Sequence, residues 1–141
     1  MLFGTINNMR PNRAPDFLIG PEGDPYMERW YLVPRNPEFN IYYHRILHDD
    51  DDRALHNHPW PSFSICCAGQ MEEIIEDGNG GHQSRIVTVG DTVYREPDLF
   101  HRLKLVDGAP CETLFITGAR VQEWGFNCPK GFVDWRVFTD F

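Results

Sequence analysis

Three histidines carry the clearest chemistry in this sequence. His56 and His58 are separated by one residue, and His101 follows them much further along the chain. Side chains alternate between the two faces of an extended strand, so His56 and His58 point to the same side. Two imidazoles on one side can bind one metal ion, and a third from a neighbouring strand would complete a facial set. We therefore predict a metal site made by His56, His58 and His101.

The composition is that of a globular protein rich in turns. Of its 141 residues 41% are hydrophobic and 13% aromatic, and 12 glycines and 11 prolines are scattered along the chain. This length is typical of one domain with its own core, and the turn residues favour an all-β protein. We expect a single domain over residues 1–141, with an irregular arm at 1–24, a barrel core at 25–118 and a closing aromatic tail at 119–141.

The charge of the chain argues against several classes of partner. The chain has 13 Lys and Arg against 21 Asp and Glu, a formal net charge of −8. Such a surface repels phosphate groups, so we expect neither nucleic acid nor membrane as a partner. Four cysteines without a signal-peptide pattern at the start predict a cytoplasmic protein with reduced thiols. Cys66 and Cys67 are adjacent in a predicted strand and should face opposite sides.

Eight stretches have the alternating, apolar or aromatic character of strands. They cover residues 26–33, 39–47, 62–67, 71–76, 84–89, 92–95, 101–106 and 111–117. We interpret the four aspartates at 49–52 as a solvated turn, because the glycine and final glutamate of an EF-hand loop are absent. Residues 118–124 are expected to form one helical turn, and the aromatic tail after them is expected to pack as a strap.

The histidine motifs resemble those of the cupin superfamily, whose members have a double-stranded β-helix, or jelly-roll, fold. The first cupin motif is H-x-H, a Glu after three or four residues and a Gly six residues later; here His56 and His58 are followed by Ser62 and Gly69. The second motif is matched by Gly90, Pro97 and His101, with Pro97 one place late. The chain departs from the pattern at Asp50 and Leu99, where glycines are usual. The resemblance covers residues 40–118 and implies an all-β jelly-roll barrel.

Ser62 is the departure with the largest chemical consequence. Many cupins place a metal-binding Glu at this point, so the resemblance implies a neutral three-histidine site with two or three open coordination positions. Three-histidine cupins include the thiol dioxygenases, such as cysteine dioxygenase, and Fe(II) is accordingly the metal that the resemblance favours. Imidazole ligands also suit Zn, Ni, Cu or Mn. The chain is also similar to bacterial and phage cupin-like proteins without an assigned reaction.

Four further residues are predicted to line the pocket: Tyr43, His44, Ser62 and Tyr94. The arginines on the same strands rank behind them, since half of all strand residues face solvent. With His101 facing inward, Arg102 should face outward. For Glu72 and Glu73, adjacent on one strand, a surface position is expected. Trp60 is expected in the core.

Three functions are consistent with these residues. The first is a metal-binding cupin that acts as an Fe(II)-dependent oxygenase or dioxygenase on a small organic substrate. The alternative is a non-catalytic cupin that binds a small molecule or a metal, or serves as an assembly module, and a weaker alternative is a sugar-type isomerase or epimerase. The resemblance also implies a homodimer. Because imidazole must be neutral to bind metal, metal occupancy is expected to fall below about pH 6.5.

Overall fold

The chain folds into two six-stranded antiparallel sheets. A computed structural model describes residues 9–50, 54–77, 79 and 81–138. In chain order the strands are β1 (Phe17–Ile19), β2 (Met27–Tyr31), β3 (Asn40–Ile46), β4 (Leu55–His56), β5 (Ser62–Ala68), β6 (Gln70–Glu76), β7 (His82–Thr88), β8 (Thr92–Arg95), β9 (His101–Leu105), β10 (Cys111–Thr117), β11 (Gly125–Cys128) and β12 (Gly131–Asp134). A 3-10 turn at Val106–Gly108 and a short helix, α1 (Trp135–Phe138), are also present. No helix in these described ranges is long and apolar enough to cross a membrane.

The strand order is that of a jelly roll. The first sheet has the order β1-β2-β3-β10-β5-β8, and the second has the order β12-β11-β4-β9-β6-β7. Strands distant in sequence are therefore neighbours, as in the double-sheet jelly rolls. The all-β jelly-roll prediction is confirmed, with the difference that the two sheets are not closed into a complete barrel.

All eight predicted strands are present, with ends within two residues of the predicted ones. The N-terminal arm is not wholly irregular, because β1 pairs with β2 in antiparallel register. The predicted helical turn at 118–124 is wrong. The backbone N–H groups of Val121 and Gln122 instead donate to the carbonyl oxygen of Pro59, and these contacts attach the segment to the loop after His58.

The apolar core occupies two places. Seven buried residues form the larger cluster between the sheets: Ile46, Cys66, Met71, Val87, Val93, Leu105 and Cys111. Trp30, Tyr43 and Cys67 form a second cluster, where the indole N–H of Trp30 donates to the carbonyl of Arg13 in the N-terminal arm. Cys66 and Cys67 thus belong to different clusters, as strand alternation predicts.

The space between the sheets also holds a group of buried polar side chains. Its members are His44, Ser62, Ser64, Glu73, Arg95, His101, Thr113 and Thr117. Burying polar groups costs free energy unless they are paired. This concentration of buried polar side chains therefore indicates a functional site in this part of the interior.

The acidic stretch is not simply a solvated turn. Asp49 accepts a hydrogen bond from the backbone N–H of Leu105, and Asp50 accepts one from the N–H of Leu103, each at 2.7 Å. These contacts attach the first half of the β3–β4 connection to β9, and Asp50 also accepts a hydrogen bond from the Tyr26 hydroxyl. The solvated-turn interpretation is wrong for Asp50, whose side chain is 8% exposed, whereas Asp49 is exposed as expected. Residues 51–53 lie outside the described residues.

Candidate metal centre

The structure brings His56, His58 and His101 together. His56 ends β4, His101 begins β9, and the two residues are directly opposite each other in the antiparallel pair. One ligand nitrogen from each histidine lies within 4.8 Å of the other two. The ring centroids are 4.8 to 5.1 Å apart. Three imidazoles with this spacing could hold one metal ion between them.

The C-terminal tail holds the two histidine segments in place. Asn57, between the first two histidines, accepts a hydrogen bond from the N–H of Gly125 at 2.9 Å and donates its own N–H to the Gly125 carbonyl. The side-chain amide of Gln122 donates to the carbonyl oxygens of both His58 and Pro97, at 2.7 and 2.9 Å. Gln122 thus joins the H-x-H segment to the loop that leads into His101.

Glu73 fixes the orientation of His101. Its side chain is completely buried, and the Nδ1–H of His101 donates to Glu73 Oε2 at 2.6 Å. Arg95 Nε donates to the same oxygen at 2.5 Å, and Arg85 donates to Oε1 through two nitrogens at 2.6 and 2.8 Å. The expectation that Glu73 lies at the surface is wrong. Along β6 it shares the inward face of the buried Met71, and two arginines compensate its charge.

The partners of Glu73 decide its protonation state and the tautomer of His101. Burial alone would raise the pKa of Glu73, but the His101 hydrogen bond and the charge of Arg95 outweigh it and hold that pKa far below its usual range. The ionised carboxylate accepts the Nδ1 proton, which leaves a lone pair on Nε2 of His101. That Nε2 is buried and has no hydrogen-bond partner among the described residues. Such an orphaned nitrogen beside two further imidazoles fits a metal ion.

The three imidazoles are neutral at pH 7. Burial lowers the pKa of His56 and lowers that of His58 well below its usual value. The pKa of His101 falls to about 3, chiefly through burial, with the charges of His56 and Arg95 adding to the effect. Neutral imidazole is the form that binds metal. Ordinary histidine pKa values imply that protons compete with metal below about pH 6.5. Because the three pKa values are lowered, this competition should begin at a lower pH.

The same shifts predict how the metal-free protein responds to acid. His44, His56, His58 and His101 have lower pKa values in the folded state than the ordinary value of 6.5. Their contribution to stability is complete above pH 6.5 and is lost as the pH falls, because the unfolded chain takes up protons first. Each histidine contributes up to about 1.4 kcal/mol per pH unit.

Urea unfolding of metal-free protein between pH 7.5 and pH 5 measures this loss. The free energy of unfolding should fall steadily below about pH 6.5. A His44→Phe variant should show a shallower fall, because it removes one of the buried groups. A free energy of unfolding that stays level down to pH 5 in the parent protein would contradict the histidine burial.

Of the remaining predicted pocket residues, two face the interior. His44 is 3% exposed, and its ring lies 5.1 Å from that of Phe115, which in turn contacts the ring of His58. Ser62 is 2% exposed and lies opposite Arg95 and Thr117 on the neighbouring strands, with no hydrogen-bond partner for its hydroxyl among the described residues.

The other two predicted pocket residues face away from the histidines. Tyr43 is buried in the second apolar cluster, and its hydroxyl donates to Glu112 at 2.9 Å. Tyr94 is 58% exposed, whereas its neighbour Arg95 is 3% exposed. The pocket prediction is therefore wrong for both tyrosines, because β3 and β8 have the opposite phase and present His44 and Arg95 to the interior.

Two aromatic side chains form the wall of the histidine cluster. Trp60 is partly buried and stacks on the His58 ring at 5.1 Å, so it is a site residue and not a core residue. Trp124 contacts the His56 ring edge-on at 6.1 Å and stacks on Trp135 of α1. The aromatic tail thus packs beside the candidate metal centre.

Three residues at the site were not predicted from the sequence: Glu73, Arg95 and Asp50. Asp50 Oδ2 lies 3.8 Å from His56 Nδ1, and burial raises the pKa of Asp50 despite the opposing charge of His56. For Glu73 a signal existed. If Met71 is taken as a core residue, alternation along β6 places Glu73 on the inner face.

Comparison with known proteins supports the fold. No family model matches the chain, and no curated protein matches it in sequence. HppE with Fe(II) matches 77% of this chain with a TM-score of 0.60 and 17% sequence identity. The DMSP lyase DddQ from Ruegeria pomeroyi matches 80% of this chain with a TM-score of 0.58 and 18% identity. The oxalate decarboxylase of Bacillus subtilis matches 81% of this chain with a TM-score of 0.56 and 14% identity. The chain spans 58%, 57% and 30% of those three chains respectively.

Of these structures, HppE is described with Fe(II) and the oxalate decarboxylase with Mn(II) centres. The TM-scores of 0.56 to 0.60 indicate the same overall fold, and in the present chain three histidines cluster together. The cupin resemblance predicted from the two histidine motifs is confirmed. This chain therefore shares the jelly-roll fold of these three proteins.

Proposed function

We propose that the protein is a metal-dependent cupin enzyme that acts on a small organic substrate, with a divalent ion held by His56, His58 and His101. One observation carries the proposal most directly. The Nε2 atom of His101 is buried without a hydrogen-bond partner among the described residues, while Glu73 holds the other ring nitrogen. A carboxylate that orients a histidine in this way is the usual support of a metal ligand.

The charge balance of the site supports a role beyond simple metal storage. Three neutral imidazoles do not compensate the charge of a divalent ion, and Ser62 stands where many cupins have a Glu ligand. A site of this kind leaves coordination positions for substrate and co-substrate. The bound metal would supply Lewis-acid and, with Fe(II), electron-transfer chemistry.

The chain's own side chains would bind and orient the substrate and would exclude water from it. Glu73 holds His101 at one tautomer, and Arg95 holds Glu73 ionised. Trp60 and Phe115, whose ring centroids are 5.5 Å apart, form an apolar wall beside His58. An apolar wall lowers the local dielectric constant and strengthens the electrostatic contacts of a bound substrate.

Fe(II) is our first choice of metal, with Mn, Zn and Ni as alternatives. The structurally similar HppE carries Fe(II) or Co(II), and the similar oxalate decarboxylase has Mn(II) centres. The metal therefore has to be measured. We propose an oxygenase or dioxygenase reaction for the Fe(II) form.

The proposal is tested by loading metal-free protein separately with Fe(II), Mn(II), Zn(II) and Ni(II). The expected result is about one equivalent of metal per chain, and oxygen consumption by the Fe(II) form in a screen of thiols, small carboxylic acids and phosphonic acids. The Zn(II) form is the matched control, because zinc has no redox chemistry. A protein that retains no metal would overturn the proposal. Retention of metal without turnover of any substrate in any form would favour the binding-module alternative.

A further inference from the structure

A second polar group lies on β2, β3 and the connection between them, and it does not include the three histidines. We call it the Arg29 cluster; it consists of Arg29, Tyr31, Arg35, Tyr42 and His44. Arg29 in β2 lies directly opposite His44 in β3, and its Nε donates to His44 Nε2 at 2.9 Å. The Arg29 guanidinium also lies over the Tyr42 ring, 4.3 Å from the centroid. The Arg35 guanidinium lies 5.4 Å from the Tyr31 ring and 5.9 Å from the Tyr42 ring.

The Arg29 cluster has two positive charges and no carboxylate. Within the described part of the chain, seven arginines have a carboxylate oxygen within 4.0 Å: Arg10, Arg13, Arg45, Arg85, Arg95, Arg120 and Arg136. Neither Arg29 nor Arg35 has such a neighbour there. Burial and the charge of Arg29 keep the pKa of His44 well below its usual value. Its ring is therefore neutral and does not compensate the charge of Arg29.

This arrangement costs stability unless an anion joins it. Burial, with a contribution from the charge of Arg35, lowers the pKa of Arg29. Two guanidinium groups share the Tyr42 ring and repel each other, and Arg29 is only partly exposed to water. A partly desolvated cation without an ion-pair partner is unfavourable. Its hydrogen bond to His44 holds it in one orientation, as a preformed recognition group would be held.

The Arg29 cluster is connected to the candidate metal centre. The His44 ring contacts the ring of Phe115 at 5.1 Å, and Phe115 lies 6.5 Å from the ring of His58. His44 and Phe115 belong to adjacent strands and lie on the same face of the first sheet. The Arg29 cluster and the histidine cluster therefore lie on two sides of the Phe115 ring, and a ligand held at Arg29 has to pass this one aromatic ring to reach His58.

We propose that the Arg29 cluster binds the acidic group of a small organic acid, a carboxylate or a phosphonate, whose other end faces His56, His58 and His101. This inference rests on the proposed metal-dependent function for the role of the second end. The guanidinium fork matches two oxygens of either group. The Tyr42 and Phe115 rings contact the carbon chain between the two ends.

Titration calorimetry tests this with three probes of similar size: pentanoate, its neutral counterpart pentanamide, and propylphosphonate. Protein loaded with redox-inert Zn(II) and metal-free protein are both titrated. At least one of the two acids should bind measurably better than pentanamide, and the affinity should fall as salt is added. The acid that binds better distinguishes a carboxylate from a phosphonate substrate.

Variants assign the binding to the cluster. Arg29→Gln should weaken binding of the preferred acid about tenfold or more, since a hydrogen bond to a charged group is lost. Arg29→Lys should retain part of the affinity. Arg35→Gln, at an exposed position that should not disturb folding, should weaken binding by a smaller factor. Arg120→Gln is the matched control, because it removes one positive charge from the exposed part of the tail, and it should bind as the parent protein does.

The inference is overturned if no probe binds, if the acids bind no better than pentanamide, or if Arg29→Gln and Arg35→Gln both bind like the parent. Its failure is distinguishable from failure of the proposed function. A protein that binds no metal but binds the acid through Arg29 would reject the metal centre and keep the anion site. A protein that binds metal but shows no Arg29-dependent binding of the acid would reject the anion site and keep the metal centre.

Discussion

Replacing His58 or His101 by alanine is expected to abolish stoichiometric metal binding. Each substitution removes one of the three nitrogens that lie within 4.8 Å of one another, and leaves only two of the three imidazoles of the facial set. Loss of a residue that only supports a ligand costs about 10–100-fold in metal affinity. Loss of a ligand should therefore exceed about 100-fold. Elemental analysis and competition with a chromophoric chelator measure the effect.

His82→Ala provides the matched control for these variants. His82 is exposed at the start of β7 and is not a member of the histidine cluster. Its replacement should leave the metal content at the parent value. Parent-like metal content in both His58→Ala and His101→Ala would place the metal elsewhere and contradict the three-histidine site.

Replacing Glu73 by glutamine is expected to destabilise the protein by about 3–5 kcal/mol. The substitution leaves Arg95, which is 3% exposed, without the carboxylate that its Nε contacts at 2.5 Å. An uncompensated buried charge is one of the few changes that cost this much. The interaction with Arg85 adds less, because the Arg85 side chain is 45% exposed and is screened by water. Urea unfolding of metal-free protein measures the loss.

Metal affinity of Glu73→Gln should also fall, by about 10–100-fold. The amide can still accept from His101, but it no longer carries the charge that favours the Nδ1–H tautomer. Glu72→Gln is the control. Glu72 lies on the opposite face of β6 and is partly exposed, so its change should stay within about 0.5 kcal/mol.

A double-mutant cycle separates the ion pair from the packing around it. Glu73→Gln combined with Arg95→Met removes both charges, and the double variant should be less destabilised than the sum of the single variants. Strict additivity, or a loss below about 1 kcal/mol for Glu73→Gln alone, would contradict the compensated ion pair described here.

The sequence predicted the strands well because strand patterns are local. Alternation and turn residues place the ends of β3, β5, β6 and β10 within one residue of those observed. The four strands that were not predicted are short, two to four residues each. They form because β11 pairs with both β4 and β12, and β1 pairs with β2. Pairing of this kind depends on distant residues, and a window of sequence does not contain that information.

The sequence by itself determined the three histidines and the jelly-roll fold. The spacing of His56 and His58 is a local property, and the interval to His101 follows the order of the strands. Only the tertiary structure decided which other side chains serve the site. Glu73 reaches His101, and Arg29 reaches His44, because antiparallel register places residues that are 28 and 15 positions apart on one inner face. Whether a polar residue on a strand faces solvent or the interior depends on what covers that face, and only the packing of the two sheets decides that.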